Sequence, residues 1–255
     1  MDKIKLKNEI EKIRSKNINT PFGLTFNGRG IATDGILSDE MYDKGLKILI
    51  LAKEPRGDKD SAIDFDFSEK IEEMVNGRFK STWTNVYKMI KEIYKYALEN
   101  NVIDSLNGIN LENNIEIIKT LAWVNIKKTY GNSETNNKEF ELYVSNADYR
   151  NLIKNQIISI NPEYIIACGE TYNWLMTYLM VNIFNMNRDD MYRGLPDKYP
   201  IEKGWVESIV INNKVVPVIA TKHFARTNAC AIQYLVGNFK IALKIDRLEG
   251  EISKN

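Results

Sequence analysis

The chain has 255 residues, 44% of them hydrophobic, enough to bury one substantial core, and one α/β domain fits that length better than two small ones. Thirty-five Lys and Arg against 34 Asp and Glu leave a net charge of +1, so there is no global field for nucleic acid or membrane, and any such contact must come from a local basic patch. Cys168 and Cys230 are too few for a disulfide framework, a structural zinc site or an iron–sulfur cluster, no apolar run reaches membrane-spanning length, and the charged start lacks a signal core; the expected location is the cytoplasm.

Residues 2–17 place Ile4, Leu6, Ile10 and Ile13 at helical spacing among Lys and Glu, and Asn17 to Gly45 reads as loop and turn. Together, residues 1–45 are expected to form an extension packed on a domain spanning 46–255. Leu46 to Ala52 is a near-continuous apolar run of the kind buried on both faces of a parallel sheet, and it breaks at Lys53-Glu54-Pro55-Arg56-Gly57. Residues 58–81 are acidic, then mixed, with Phe65, Phe67 and Phe79 as the aromatic positions. Trp83 to Leu98 has helical period; Thr120 to Val124 is a second strand that closes on Asn125. Gly131 to Glu139 reads as polar loop, Asn146 to Ile160 as a helix stopped by Asn161-Pro162, and Tyr164 to Cys168 as a third strand that turns at Gly169-Glu170-Thr171 into a helix ending near Met180. An irregular insertion over 182–205 precedes a hairpin strand, Val206 to Ile211, and Asn212-Asn213 leads into a fourth strand, Val215 to Ala220. This strand opens onto His223, the single histidine of the chain, and a helix from Ala229 to Leu243 closes the domain. The alternation predicts parallel βαβ units, a three-layer α/β/α fold around a central, mainly parallel four-stranded sheet.

If the four strands share one sheet, their carboxyl ends bring Glu54, Asn125, Gly169 and His223 to one edge, where ligands of open α/β sheets bind. A carboxylate there can orient water or stabilise a cation, a carboxamide can read a base edge, and an imidazole can donate to a developing anion. Each residue also has an ordinary explanation taken singly, as a turn or solvated side chain. Their joint placement points to chemistry.

The order and context of these pieces resemble the uracil-DNA glycosylase superfamily. The resemblance rests on Ile48-Leu-Ile-Leu-Ala-Lys-Glu54-Pro-Arg-Gly57, Leu121-Ala-Trp-Val-Asn125, Asn161-Pro-Glu-Tyr-Ile-Ile-Ala-Cys-Gly169 and His223-Phe-Ala-Arg-Thr227. Phe224 and Ala225 stand where that superfamily usually has proline and serine, Arg56 stands where its most uracil-selective members have a bulky aromatic, and the four cysteines of its cluster-bearing branches are missing.

The resemblance implies a monofunctional DNA glycosylase that flips a uracil or other damaged base out of the stack and hydrolyses its N-glycosidic bond, without metal or organic cofactor. Glu54 and His223 would be catalytic. Asn125, Phe79, Lys53 and Phe67 would form the base pocket, with Phe79 or Phe67 as the stacking ring. Gly169, Thr171, Lys222, Phe224 and Arg226 would touch nucleic acid, and Lys127 and Lys128 would add positive charge at the rim. The expected partner is DNA bearing a damaged or deaminated base, single-stranded DNA included, and the expected state is a monomer. The alternative is a catalytically inactive nucleotide- or nucleic-acid-binding protein of the same fold.

Overall fold

The computed structural model of the chain describes residues 3–26, 28–57, 61–77, 80–131, 137–169, 174–186, 206–222, 224 and 233–243. In chain order the first half contains α1 (Lys3–Lys16), α2 (Pro21–Phe26), β1 (Ala32–Thr33), β2 (Gly35–Ile36), α3 (Asp39–Lys44), β3 (Ile48–Ala52), β4 (Phe65–Asp66), α4 (Phe67–Asn76), α5 (Lys80–Glu99), α6 (Asn114–Lys119) and β5 (Leu121–Asn125). There follow α7 (Asn137–Ser145), α8 (Ala147–Ile160), β6 (Tyr164–Gly169), α9 (Trp174–Thr177) with a π-helical turn over Tyr178–Ile183, β7 (Val206–Ile211), β8 (Lys214–Lys222) and α10 (233–243).

The main sheet runs β2-β5-β3-β6-β8-β7. Its inner strands β5, β3, β6 and β8 are mutually parallel, as the alternating pattern requires, and β3 and β5 are buried along their whole length. The sheet has six strands rather than four, because an antiparallel strand closes each edge. One edge, β2, is two residues long and begins at Gly35, whose φ of +147° suits glycine; a strand that short within a glycine-bearing stretch reads as turn. At the other edge β7 is joined to β8 through Asn212 and Asn213, both at positive φ (50° and 62°), the backbone a tight hairpin demands. A separate two-stranded parallel pair joins β1 to β4.

Alternation along the parallel strands makes two cores. Leu49, Leu51, Val124, Ile165 and Val218 face a layer made by α1, α7, α8 and the π-helical turn, whereas Ile48, Ile50, Trp123, Ile166 and Ile219 face α4, α5, α6 and α10. The N-terminal helix docks through Leu6, Ile10 and Ile13, the apolar stripe its sequence carries. Side-chain caps fix several helix starts: Asp66 caps α4, Asn113 caps α6 and Asn146 caps α8, and Asn161 ends α8 in the left-handed region at φ 51°. Helix α4 lies in the stretch read only as acidic, then mixed, although Phe67, Ile71, Met74 and Val75 recur there at helical spacing and form its buried face, and α7 begins inside the span read as polar loop. Among the described residues no helix is long and apolar enough to cross a membrane.

Candidate functional site

From β3 the chain passes under one face of the sheet to β5, then crosses the opposite face to β6 on the other side of β3. The strand order therefore reverses between β3 and β6, and in an open parallel sheet the crevice outside the carboxyl ends at that point is where ligands bind. Ala52 is in register with Asn125, and Gly169 with Lys222, so Glu54, Asn125, Gly169 and the backbone of Lys222 all lie at this edge. His223, Phe79, Thr171 and Arg226 fall outside the described residues.

The exits of β3 and β5 stay laced together beyond the strands. Ile126 N–H donates to the Ala52 carbonyl (2.9 Å), Lys127 N–H to Lys53 (2.8 Å) and Gly131 N–H to Pro55 (2.9 Å), while Gly57 N–H donates back to Gly131 (3.1 Å). Residues 121–131 are all buried. On this platform the Lys127 ammonium donates to Glu54 Oε2 (2.8 Å) and to the Tyr130 carbonyl (3.3 Å), lies 3.0 Å from Glu139 Oε1 and stands over the Tyr143 ring. Arg29 pairs with the same Glu139 oxygen. The Glu54 carboxylate is thus one end of an alternating chain of charges, Glu54, Lys127, Glu139 and Arg29. It also lies directly over Gly131, where a Cβ would fall 2.1 Å from its carboxyl carbon. Glycine is what lets the carboxylate occupy that place.

Asn125 is held from the opposite side. Its backbone N–H and its Nδ2 both donate to Asp34 Oδ2 (2.7 and 3.0 Å). Lys128 Nζ and Gln156 Nε2 (3.0 Å) donate to Asp34 Oδ1, and Gln156 Nε2 also reaches the Asp34 carbonyl (2.9 Å). The Asp34 and Lys128 side chains are both fully buried. Burial pulls the Lys128 ammonium below the ordinary lysine range, and Asp34 opposes that pull. Burial lifts the Tyr149 phenol well above its ordinary range, so the hydroxyl stays protonated; it donates to the Ile126 carbonyl (2.7 Å) and accepts from Lys128 N–H (3.0 Å).

No protein-family model matches this sequence, and none of the curated proteins compared with it is significantly similar. The site stands on its own geometry.

Several expected contacts take other places. Lys127 and Lys128 do not line a phosphate-binding rim: both are buried in ion pairs, because the exit of β5 lies beneath the β3 loop and the β1–β2 segment. Phe224 is not a surface contact to nucleic acid. Its ring is buried beside Trp123, its carbonyl accepts from Asn85 Nδ2 (2.7 Å), and its N–H faces the Cys168 sulfur. Burial pushes that thiol up to about 12, so Cys168 is a core residue and not a nucleophile. Phe67, the first residue of α4, is buried with its ring stacked on Trp123 at 6.3 Å and edge-on to Phe65; it is part of an aromatic wall with Trp83 and Phe224 rather than an open platform. Lys53 is half-buried, and its carbonyl is held by Lys127 N–H.

Sequence reasoning missed Asp34, Gln156, Arg29 and Glu139, which come from segments read as loop or as helix face. One signal was present: Lys127 and Lys128 follow an all-apolar strand with Ile126 between them and Asn125, and consecutive lysines emerging from a buried strand need carboxylates on opposite sides. Among the described residues no three His, Cys, Asp or Glu side chains gather as metal ligands.

Proposed function

We propose that the protein hydrolyses the N-glycosidic bond of a nucleic-acid base, acting on uracil or another deaminated or damaged base flipped into the crevice between the β3 and β6 exits. The observation that carries the reading is that the carboxylate of Glu54 and the carboxamide of Asn125, at neighbouring parallel-strand ends, are each held by a buried ionic partner, Lys127 and Asp34. A group fixed before the ligand arrives loses little freedom in the transition state, the condition for electrostatic stabilisation of a breaking bond. Lys127 takes Glu54 Oε2, while Oε1 takes no hydrogen bond among the described residues and is the oxygen to orient a water against the sugar carbon. As the bond breaks, Glu54 faces the cationic sugar, His223 donates to the departing base and Asn125 reads the base edge. Resemblance to the uracil-DNA glycosylase superfamily supports the same assignment of roles.

A second reading has a specific observation in its favour. Lys127 and Lys128 are withdrawn from the rim, which weakens the expected phosphate-binding set and favours a protein that holds a nucleotide without cleaving it. The test is single-turnover release of free base from oligonucleotides bearing uracil, hypoxanthine, xanthine or hydroxymethyluracil, single-stranded and opposite each partner, beside binding of the same oligonucleotides. The expected result is release from at least one substrate, slowed roughly a hundredfold or more in His223→Ala and also slowed in Glu54→Gln with binding retained. Tight binding without release by the wild type, or release by His223→Ala at the parental rate, overturns the catalytic reading.

A further inference from the structure

We infer that Asp34 is a positioning residue that locks the Asn125 carboxamide in one of its two orientations, so that the site presents a hydrogen-bond acceptor to its ligand. This rests on the reading of Asn125 as the base-reading residue. Asp34 comes from the junction of β1 and β2, outside the four motifs on which the resemblance rests. Its carboxylate accepts from Lys128 and Gln156 through Oδ1, and from two donors of Asn125 through Oδ2. A carboxylate so placed has no proton to give. The amide group turned toward it must therefore be Nδ2, as the 3.0 Å contact requires. Rotating the amide by half a turn would set Oδ1 against Oδ2 in a fully buried site, two acceptors facing each other with the Nδ2 bond lost.

The Asn125 Oδ1 accepts no hydrogen bond from any described residue. The locked amide thus leaves this oxygen without a donor among the described residues, and a ligand edge that reaches the buried Asn125 must bring an N–H to it. An imide or lactam ring nitrogen meets that demand. The unprotonated ring nitrogen of cytosine or adenine presents a lone pair instead, and the lock prevents the amide from turning to suit it. Lys128 is the counter-charge that holds Asp34 in place. The pair sets specificity without touching the ligand.

Asp34→Leu alone would leave a buried lysine unpaired, so the test couples it with Lys128→Met, which removes both charges at similar volume. Single-turnover release is compared for uracil-bearing and cytosine-bearing single-stranded oligonucleotides in the wild type, Asn125→Ala and the double variant. The double variant is expected to lose at least about tenfold of the uracil-over-cytosine preference while folding as judged by circular dichroism. An unchanged preference in a folded double variant, when Asn125→Ala abolishes it, overturns the role of Asp34 and leaves the function standing. A wild type and an Asn125→Ala variant with the same preference instead overturn the reading of Asn125, and with it the inference. The lock is also checked without substrate: the side-chain NH2 of Asn125 in ¹⁵N NMR should exchange slowly with solvent in the wild type and rapidly in the double variant. Rapid exchange in the wild type overturns the inference whatever the oligonucleotides show.

Discussion

Replacing Lys127 by Met tests the ionic chain beneath the site. The substitution keeps an unbranched apolar stem and deletes the ammonium, leaving Glu54, with a side chain 7% exposed, and Glu139, 13% exposed, without the cation they share. Arg29 still serves Glu139, but no other ion-pair partner among the described residues reaches Glu54. Removing one member of a buried ion pair costs about 3–5 kcal/mol, a large part of a stability that for a single domain is about 5–15 kcal/mol. Glu54→Gln should cost far less, about 1 kcal/mol, because Lys127 keeps Glu139 at 3.0 Å and the Tyr130 carbonyl at 3.3 Å and the new amide oxygen can still accept. In the double variant the stranded carboxylate is gone, so the combined cost should fall about 1–3 kcal/mol below the sum of the single ones. The assay is urea unfolding followed by circular dichroism and tryptophan fluorescence, with coincident transitions and unchanged slopes as the check on two-state behaviour. Equal costs for the two single variants, or costs that add within about 0.5 kcal/mol, would refute the picture of Lys127 as the hub of the chain.

Gly131→Ala should push the Glu54 carboxylate off its seat and cut base release by about a hundredfold, with about 1–3 kcal/mol of stability lost to overpacking; single-turnover rates at the parental level would count against the seat. Burial raises Glu207, in edge strand β7, from 4.5 to about 7, so between those pH values the folded state holds more proton than the unfolded chain. Wild-type stability should therefore fall as pH rises through that window, and Glu207→Gln should remove this part of the slope in urea titrations at pH 5 and pH 8. Asn85→Ala removes the hydrogen bond to the Phe224 carbonyl, next to His223; it should cost about 1 kcal/mol and speed amide hydrogen exchange in the backbone after β8, and unchanged exchange there would show that the contact does not hold that segment.

The four parallel strands were legible because each is an apolar run too continuous for a one-sided sheet, and Asn146, Asn161 and the Asn212-Asn213 pair marked boundaries by chemistry that acts locally. The two-residue strand β2 was not legible, since two residues carry no period. The same limit hid half of the site. Glu54 and Asn125 announce themselves by ending apolar strands, but their partners are named by distance in space: Glu139 in a helix start within a polar stretch, and Asp34 between two strands too short to see. The lysines misled for a related reason. A lysine past a strand end is usually solvated, and only the covering segment, remote in sequence, decides that Lys127 and Lys128 are buried.

The bonds to Asp34 carry a consequence for the order in which the molecule is assembled. They span 91 residues to Asn125, 94 to Lys128 and 122 to Gln156, so the carboxylate has none of these partners while the first third of the chain is all that exists. Closing loops of that length costs entropy before any contact is gained, which places this cluster late in folding, after the local helices and the docking of β3 on β5. During synthesis Asp34 gains its counter-charge only once Lys128 has emerged, and its full set of donors only once α8 follows. The Asp34 cluster is therefore complete only once about three fifths of the chain is made, and the crevice only after β6 and β8 follow.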